Sequence, residues 1–81
     1  MKILYARVTV KVMEAMEKRV RQRIKESIEG IPEGDIKPLR GSSTLYRLRV
    51  GGWRIVFSYP KSDTVLIEKI APRGDVYKGG L

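Results

Sequence analysis

The dipeptide Gly51-Gly52 sits between two runs that alternate residue by residue. Before it, Tyr46, Leu48 and Val50 alternate with Leu45, Arg47 and Arg49; after it, Trp53, Ile55 and Phe57 alternate with Arg54, Val56 and Ser58. Two glycines accept the positive φ of a two-residue turn, so the runs are predicted to close as a β-hairpin. Closure there leaves one register: Val50 opposite Trp53, Arg49 opposite Arg54, Leu48 opposite Ile55, Arg47 opposite Val56 and Tyr46 opposite Phe57. One face then gathers the apolar set Tyr46, Leu48, Val50, Trp53, Ile55 and Phe57. The other gathers Arg47, Arg49 and Arg54 around Leu45, Val56 and Ser58. A slip of one residue would invert both faces, so this register is strongly specified.

The apolar face needs a partner, and the N-terminal half supplies one. Val12, Met13, Met16, Val20, Ile24, Ile28 and Ile31 recur at spacings of three and four, which is one stripe along a helix. Periodicity alone permits one long helix from Thr9 to Glu29 or two short ones. Thr9 is the expected N-cap, and Gly30 followed by Ile31-Pro32 the stop, with glycine in the left-handed cap position. Glu14–Lys18, Glu17–Arg21 and Lys25–Glu29 are spaced as i,i+4 pairs, so the basic residues 18–25 read as a salt-bridged outer face.

Ile3-Leu4-Tyr5-Ala6 reads as a first strand, and Val65–Ile70 as a third run following a Pro60–Asp63 turn. Pro32–Asp35 reads as a turn and Ile36–Ser43 as a polar connection anchored by Ile36 and Leu39. Residues 71–81 read as a polar tail carrying Arg73, Asp75, Tyr77 and Lys78. With 81 residues the chain can build one core, so residues 1–81 are expected to form a single domain.

Composition removes several chemistries. The sequence has no cysteine and no histidine, which excludes disulfides, Ser-His and Cys-His nucleophiles and an imidazole acid or base. No metal site and no cofactor are expected. No run approaches the ~20 apolar residues of a membrane span, and the run after Lys2 is too short for a signal-peptide core. A cytoplasmic location and no membrane partner are the expectation.

The net charge is +8, from 17 Lys and Arg against 9 Asp and Glu. Residues 1–36 hold eight basic and six acidic side chains, whereas residues 37–81 hold nine basic and three acidic. Such an excess either keeps a small protein soluble or serves an anionic partner, commonly nucleic acid. The hairpin favours the second. Arg49 opposite Arg54 is an unfavourable cross-strand pair, costing up to about 1 kcal/mol, and Arg47 shares their face. Converging guanidiniums offer planar, permanently charged donors suited to phosphate. Neutralisation by Glu68 or Asp75 is the competing explanation. Tyr46 and Trp53 lie on the apolar face and read as core rather than as base-stacking platforms.

Three segments carry a family likeness: Ile36-Lys37-Pro38-Leu39-Arg40-Gly41, the Leu45–Phe57 hairpin with its "YRLRVGGWRIVF" run, and Arg73-Gly74-Asp75-Val76-Tyr77-Lys78. Together they resemble the RelE/ParE superfamily of toxins from bacterial type II toxin–antitoxin systems, on the RelE side. The resemblance implies an α+β fold, a small antiparallel or mixed sheet of about four strands packed against an N-terminal helical hairpin. It also implies a helix break near Glu17-Lys18. RelE-type members are ribosome-dependent messenger-RNA endoribonucleases held inactive by a cognate antitoxin, so antitoxin, mRNA and ribosome are the implied partners. Position by position, the catalytic set would be Arg54, Arg73 and Tyr77, and the RNA-binding set Lys37, Arg40, Arg47, Arg49 and Lys78.

Attack of a ribose 2′-hydroxyl on the adjacent phosphate needs a base, an acid and cations for the developing charge. Arg54 and Arg73 suit the last role and cannot serve as bases. Some family members carry lysine at the strand pair or histidine near the C-terminal arginine, where this chain has Arg47, Arg49 and Pro72. Tyr77, Lys78 or Glu68 would have to move the proton, each with its pKa adjusted by burial or neighbours. Tyr77 could equally anchor the tail. A ParE-like poison of DNA gyrase, or a silent relative that only binds RNA or a partner, are the alternatives.

Overall fold

The computed structural model describes residues 1–72. Elements run β1 (Lys2–Tyr5), α1 (Arg7–Glu14), α2 (Lys18–Glu29), β2 (Asp35–Pro38), β3 (Tyr46–Val50), β4 (Trp53–Lys61) and β5 (Thr64–Pro72). The strands form one sheet in the order β1-β5-β4-β3-β2, with β1 parallel to β5 and the other neighbours antiparallel. This is the expected α+β arrangement with the N-terminal strand at the side, and with five strands instead of about four.

The hairpin closes in the predicted register, Val50 on Trp53 through Tyr46 on Phe57. Gly51 has φ +58°, while Gly52 is not in the left-handed region. One positive φ, at the first turn position, is the pattern of a type II′ turn, so only the first glycine meets a conformational demand. The apolar face packs on the helices around Phe57, Ile24, Ile28, Leu48, Ile55, Ile67 and Val65, all essentially inaccessible to solvent. Tyr46, Phe57 and Tyr59 form a mutual aromatic trio with centroids 5.5–5.7 Å apart, and Tyr46 and Trp53 are partly buried against the core. Both are structural, as their face required.

The helical stripe is divided at Ala15–Glu17, which places the break where the family likeness put it. Several local expectations change. The helix begins at Arg7 with Ala6 as N-cap, and Thr9 lies inside the first turn, fully buried. Its hydroxyl donates to the Ala6 carbonyl at 2.6 Å, so threonine bonds backward within the turn instead of capping it. Gly30 has φ −84°, so it ends α2 without a left-handed residue. The break separates Glu14 from Lys18. Among the described residues no ion pair closes on the helices; the two that form both involve Asp35. The basic side of α2 is therefore solvated, not laced by salt bridges.

Two strands differ from expectation. Asp35–Pro38 pairs with β3, where a polar connection was expected, because backbone bonding to β3 offsets its short and mixed pattern. β5 runs on to Pro72, and its turn from β4 spans only Ser62-Asp63, with Lys61 paired to Thr64. Pro60 falls where the β4–β5 register shifts, a position that spares it a ladder bond. Residues 71 and 72 thus belong to the sheet; the rest of the expected tail lies outside the described residues. No helix among the described residues is long and apolar enough to cross a membrane.

Tyr5, at the end of β1, has its phenol pushed above the ordinary 10.0 by burial and, secondarily, by the Glu29 carboxylate. The folded state therefore holds this proton more tightly than the unfolded chain. Its contribution is fully present below about pH 10 and is lost as pH rises through the folded-state value. Urea unfolding between pH 8 and 11.5 should show a shallower alkaline loss of stability in Tyr5→Phe than in the parent chain.

Candidate nucleic-acid interface

Register decides which side chains share the face turned away from the helices. Asp35 pairs with Arg49, Arg49 with Arg54, and Arg54 with Ala71, making one row across four strands. Lys37 pairs with Arg47, Arg47 with Val56, and Val56 with Lys69, making the adjacent row. Five cations and one carboxylate therefore lie in two neighbouring rows. Arg47, Arg49 and Arg54 converge, as the hairpin argument required.

The three guanidiniums are not equivalent. Arg47 and Arg54 are only 8% and 6% exposed, whereas Arg49 is exposed. A second small apolar cluster, Leu39, Val56 and Ala71 with Leu45 packed against it, lies on the same face. Val56 and Ala71 are the cross-strand neighbours of Arg47 and Arg54, so aliphatic stems can lie on apolar surface here. The Leu39–Leu45 loop is held by the Leu39 N–H donating to the Leu45 carbonyl at 2.9 Å. The Ser42 hydroxyl accepts from the N–H groups of Thr44 and Leu45.

Asp35 is the carboxylate among these cations. Arg47 Nη1 donates to the Asp35 carbonyl at 3.3 Å and lies 3.4 Å from Oδ1, while Arg49 Nε lies 3.8 Å from Oδ2. Gly34 delivers Asp35 to this place. Its φ is +119°, a conformation that side-chain-bearing residues rarely adopt, and a Cβ there would lie 3.1 Å from Leu48 Cδ1, so a substitution would be strained.

The candidate residues fall into three groups. Arg47, Arg49, Arg54 and Lys37 share the face; Arg40 is exposed on the loop after β2, outside the ladder. Arg73, Tyr77 and Lys78, and with them Asp75, lie outside the described residues. Glu68 is the extra residue where the β4–β5 register shifts between Lys69 and Ile67, and it forms no ion pair with the described residues. Neutralisation of the arginines by Glu68 is thus replaced by partial neutralisation from Asp35. Lys69 and Asp35 went unnoticed in the sequence. Lys69 needed the β5 register, which the bulge at Glu68 shifts by one, and Asp35 needed β2 to be recognised as a strand. Among the described residues there is no cluster of acidic side chains able to hold a metal ion.

No family model matches the chain. Toxin RelE3 of Methanocaldococcus jannaschii is 32% identical over 85 residues, covering 95% of this chain and 96% of that one. The chain belongs to the RelE family of toxins. Solved structures agree. A RelB-RelE antitoxin-toxin complex from Methanococcus jannaschii matches with TM-score 0.75 at 29% identity, over 94% of this chain and 96% of that chain. An archaeal RelE-RelB complex from Pyrococcus horikoshii OT3 matches with TM-score 0.71 at 26% identity, over 90% and 94%. The Pyrococcus horikoshii complex is archaeal, so the likeness is not confined to bacterial toxins.

In this RelE chain the Asp35–Arg49 pair is loose and both side chains are nearly half exposed, 47% and 45%. A double-mutant cycle using Asp35→Asn and Arg49→Gln should give a coupling below about 1 kcal/mol, as exposed pairs do. Urea unfolding at rising salt should show that coupling vanish towards 1 M.

Proposed function

We propose that this chain is a ribosome-dependent messenger-RNA endoribonuclease of a toxin–antitoxin system. The observation that carries this reading is the pair of cross-strand rows in which Lys37, Arg47, Arg49, Arg54 and Lys69 face one way with, among the described residues of those rows, a single carboxylate. An RNA backbone laid across the rows would meet donors at successive phosphates, with exposed Arg49 and Lys37 as first contacts. Arg54, and Arg73 by family likeness, would stabilise the phosphorane formed when a ribose 2′-oxygen attacks the adjacent phosphorus. The 2′-hydroxyl proton leaves to a base and the departing 5′-oxygen receives one, so the bond to that oxygen breaks as the 2′,3′-cyclic phosphate forms. Glu68, Tyr77 and Lys78 are the chain's candidates for moving those protons.

A cognate antitoxin is the proposed protein partner, covering the basic face or the adjoining helices. Support comes from the related toxins, which are solved as RelB-RelE and RelE-RelB complexes. The RelE-type match favours RNA over the gyrase target of ParE-like relatives.

Mapping messenger-RNA ends on translating ribosomes tests the reaction. The expected result is codon-phased cuts that fall about 10²–10³-fold in Arg54→Ala and in Arg73→Ala, the usual effect of removing one transition-state donor. Thermal melts of each variant separate lost chemistry from lost folding. Uncut message, or intact message accompanied by double-strand DNA breaks, would refute the nuclease. Binding of a 2′-O-methylated single-stranded RNA, which cannot be cleaved, tests the face itself. With about five phosphate contacts, log K should fall with log salt at a slope near −3.5. A flat response would exclude phosphate recognition by these rows.

A further inference from the structure

Resting on that reading, we propose that Asp35 is an affinity-setting residue, an internal counter-ion that holds a phosphate position on Arg49 until RNA displaces it. Three observations carry this. Asp35 heads the row that continues through Arg49 to Arg54, so its carboxylate occupies the end of the track that phosphates would follow. It divides its two oxygens between two arginines, Oδ1 3.4 Å from Arg47 and Oδ2 3.8 Å from Arg49. Finally, the partners are unequally held. Arg47 is buried and also donates to the Asp35 carbonyl, whereas Arg49 is nearly half exposed and touches the carboxylate only loosely.

A carboxylate with this geometry imitates a phosphate oxygen pair. It relieves the repulsion between Arg49 and Arg54 that the register imposes, at the cost of one negative charge on the binding track. An incoming phosphate offers Arg49 a stronger, bidentate acceptor but must first meet the Asp35 charge. The face therefore discriminates against weakly presented RNA and admits strands held in register along several contacts. Arg47 stays anchored on Asp35 throughout, while Arg49 changes partner.

The test is fluorescence anisotropy of the full chain with a labelled, 2′-O-methylated single-stranded RNA over a range of salt. Asp35→Asn should bind about tenfold more tightly at 50 mM salt, with the slope unchanged near −3.5, because Arg49 meets a phosphate in both proteins and only the competing carboxylate is lost. In an Arg49→Gln background the same substitution should gain less than about threefold, since the released donor is gone. Removing Asp35 leaves the buried Arg47 without its carboxylate, which can unfold a small domain. Asp35→Asn with Arg47→Met removes both ions together, and it should still bind more tightly than Arg47→Met alone. Equal or weaker binding on loss of Asp35 overturns the proposal, as does a gain undiminished by Arg49→Gln. A steep parental salt slope with no gain in Asp35→Asn removes this inference and leaves the RNA reading standing. A flat parental slope removes both.

Discussion

A two-residue turn at Gly51-Gly52 leaves the flanking runs no freedom of register, and a strand's period of two turns that restriction into a sorting of side chains. Once Val50 faces Trp53, six apolar residues must point to the helices and three arginines must point away. A slip by one would set the guanidiniums of Arg47, Arg49 and Arg54 under α1 and α2, where desolvation without partners is prohibitive. The same slip would expose Leu48, Ile55 and Phe57, which anchor the core. Hydrophobic burial and charge exclusion thus enforce one arrangement, and the basic face is its direct consequence.

The outer rows carry a cost that the core does not explain. Arg49 beside Arg54 is repulsive, and Arg47 and Arg54 are largely withdrawn from water. A face shaped only for stability would alternate carboxylates with cations at such positions. Among the described residues of these rows one carboxylate, brought by β2, stands with five cations. Its two contacts are long, so it lessens the repulsion without cancelling it. Residual positive potential on a half-apolar surface is what a phosphate-binding track requires, because charge draws the polyanion and the apolar stems limit competing water.

The hairpin, the helical stripe and the shared face of the three arginines were legible because each follows from local periodicity or from one turn. The features that escaped depend on pairing between segments distant in sequence. Asp35–Pro38 is too short and too mixed to announce a strand, and only hydrogen bonding to β3 makes it one. Lys69 joins the face because a bulge at Glu68 shifts β5 by one residue, and nothing in the sequence of that run marks the bulge. Thr9 illustrates the opposite error. Its residue type suits a cap, but the buried hydroxyl satisfies itself on the Ala6 carbonyl and leaves the helix free to start earlier. The division of the helix came from family likeness, since spacings of three and four continue across Ala15–Glu17 without interruption.

The chemical make-up of the face separates binding from proton transfer. A guanidinium is a donor without an acceptor, so the arginine rows would hold phosphate and stabilise the phosphorane but cannot supply the base. In the proposed reaction the pH dependence must then arise elsewhere, from the group that takes the 2′-hydroxyl proton. A face of histidines would entangle the two, since losing charge would weaken binding as it created a base. Here RNA affinity should follow salt and be nearly indifferent to pH, while cleavage should follow pH through a residue beyond the arginine rows. In the proposed reaction such a division would let the sheet hold a message tightly without committing to cut it, and would leave the cutting step to whatever supplies the base.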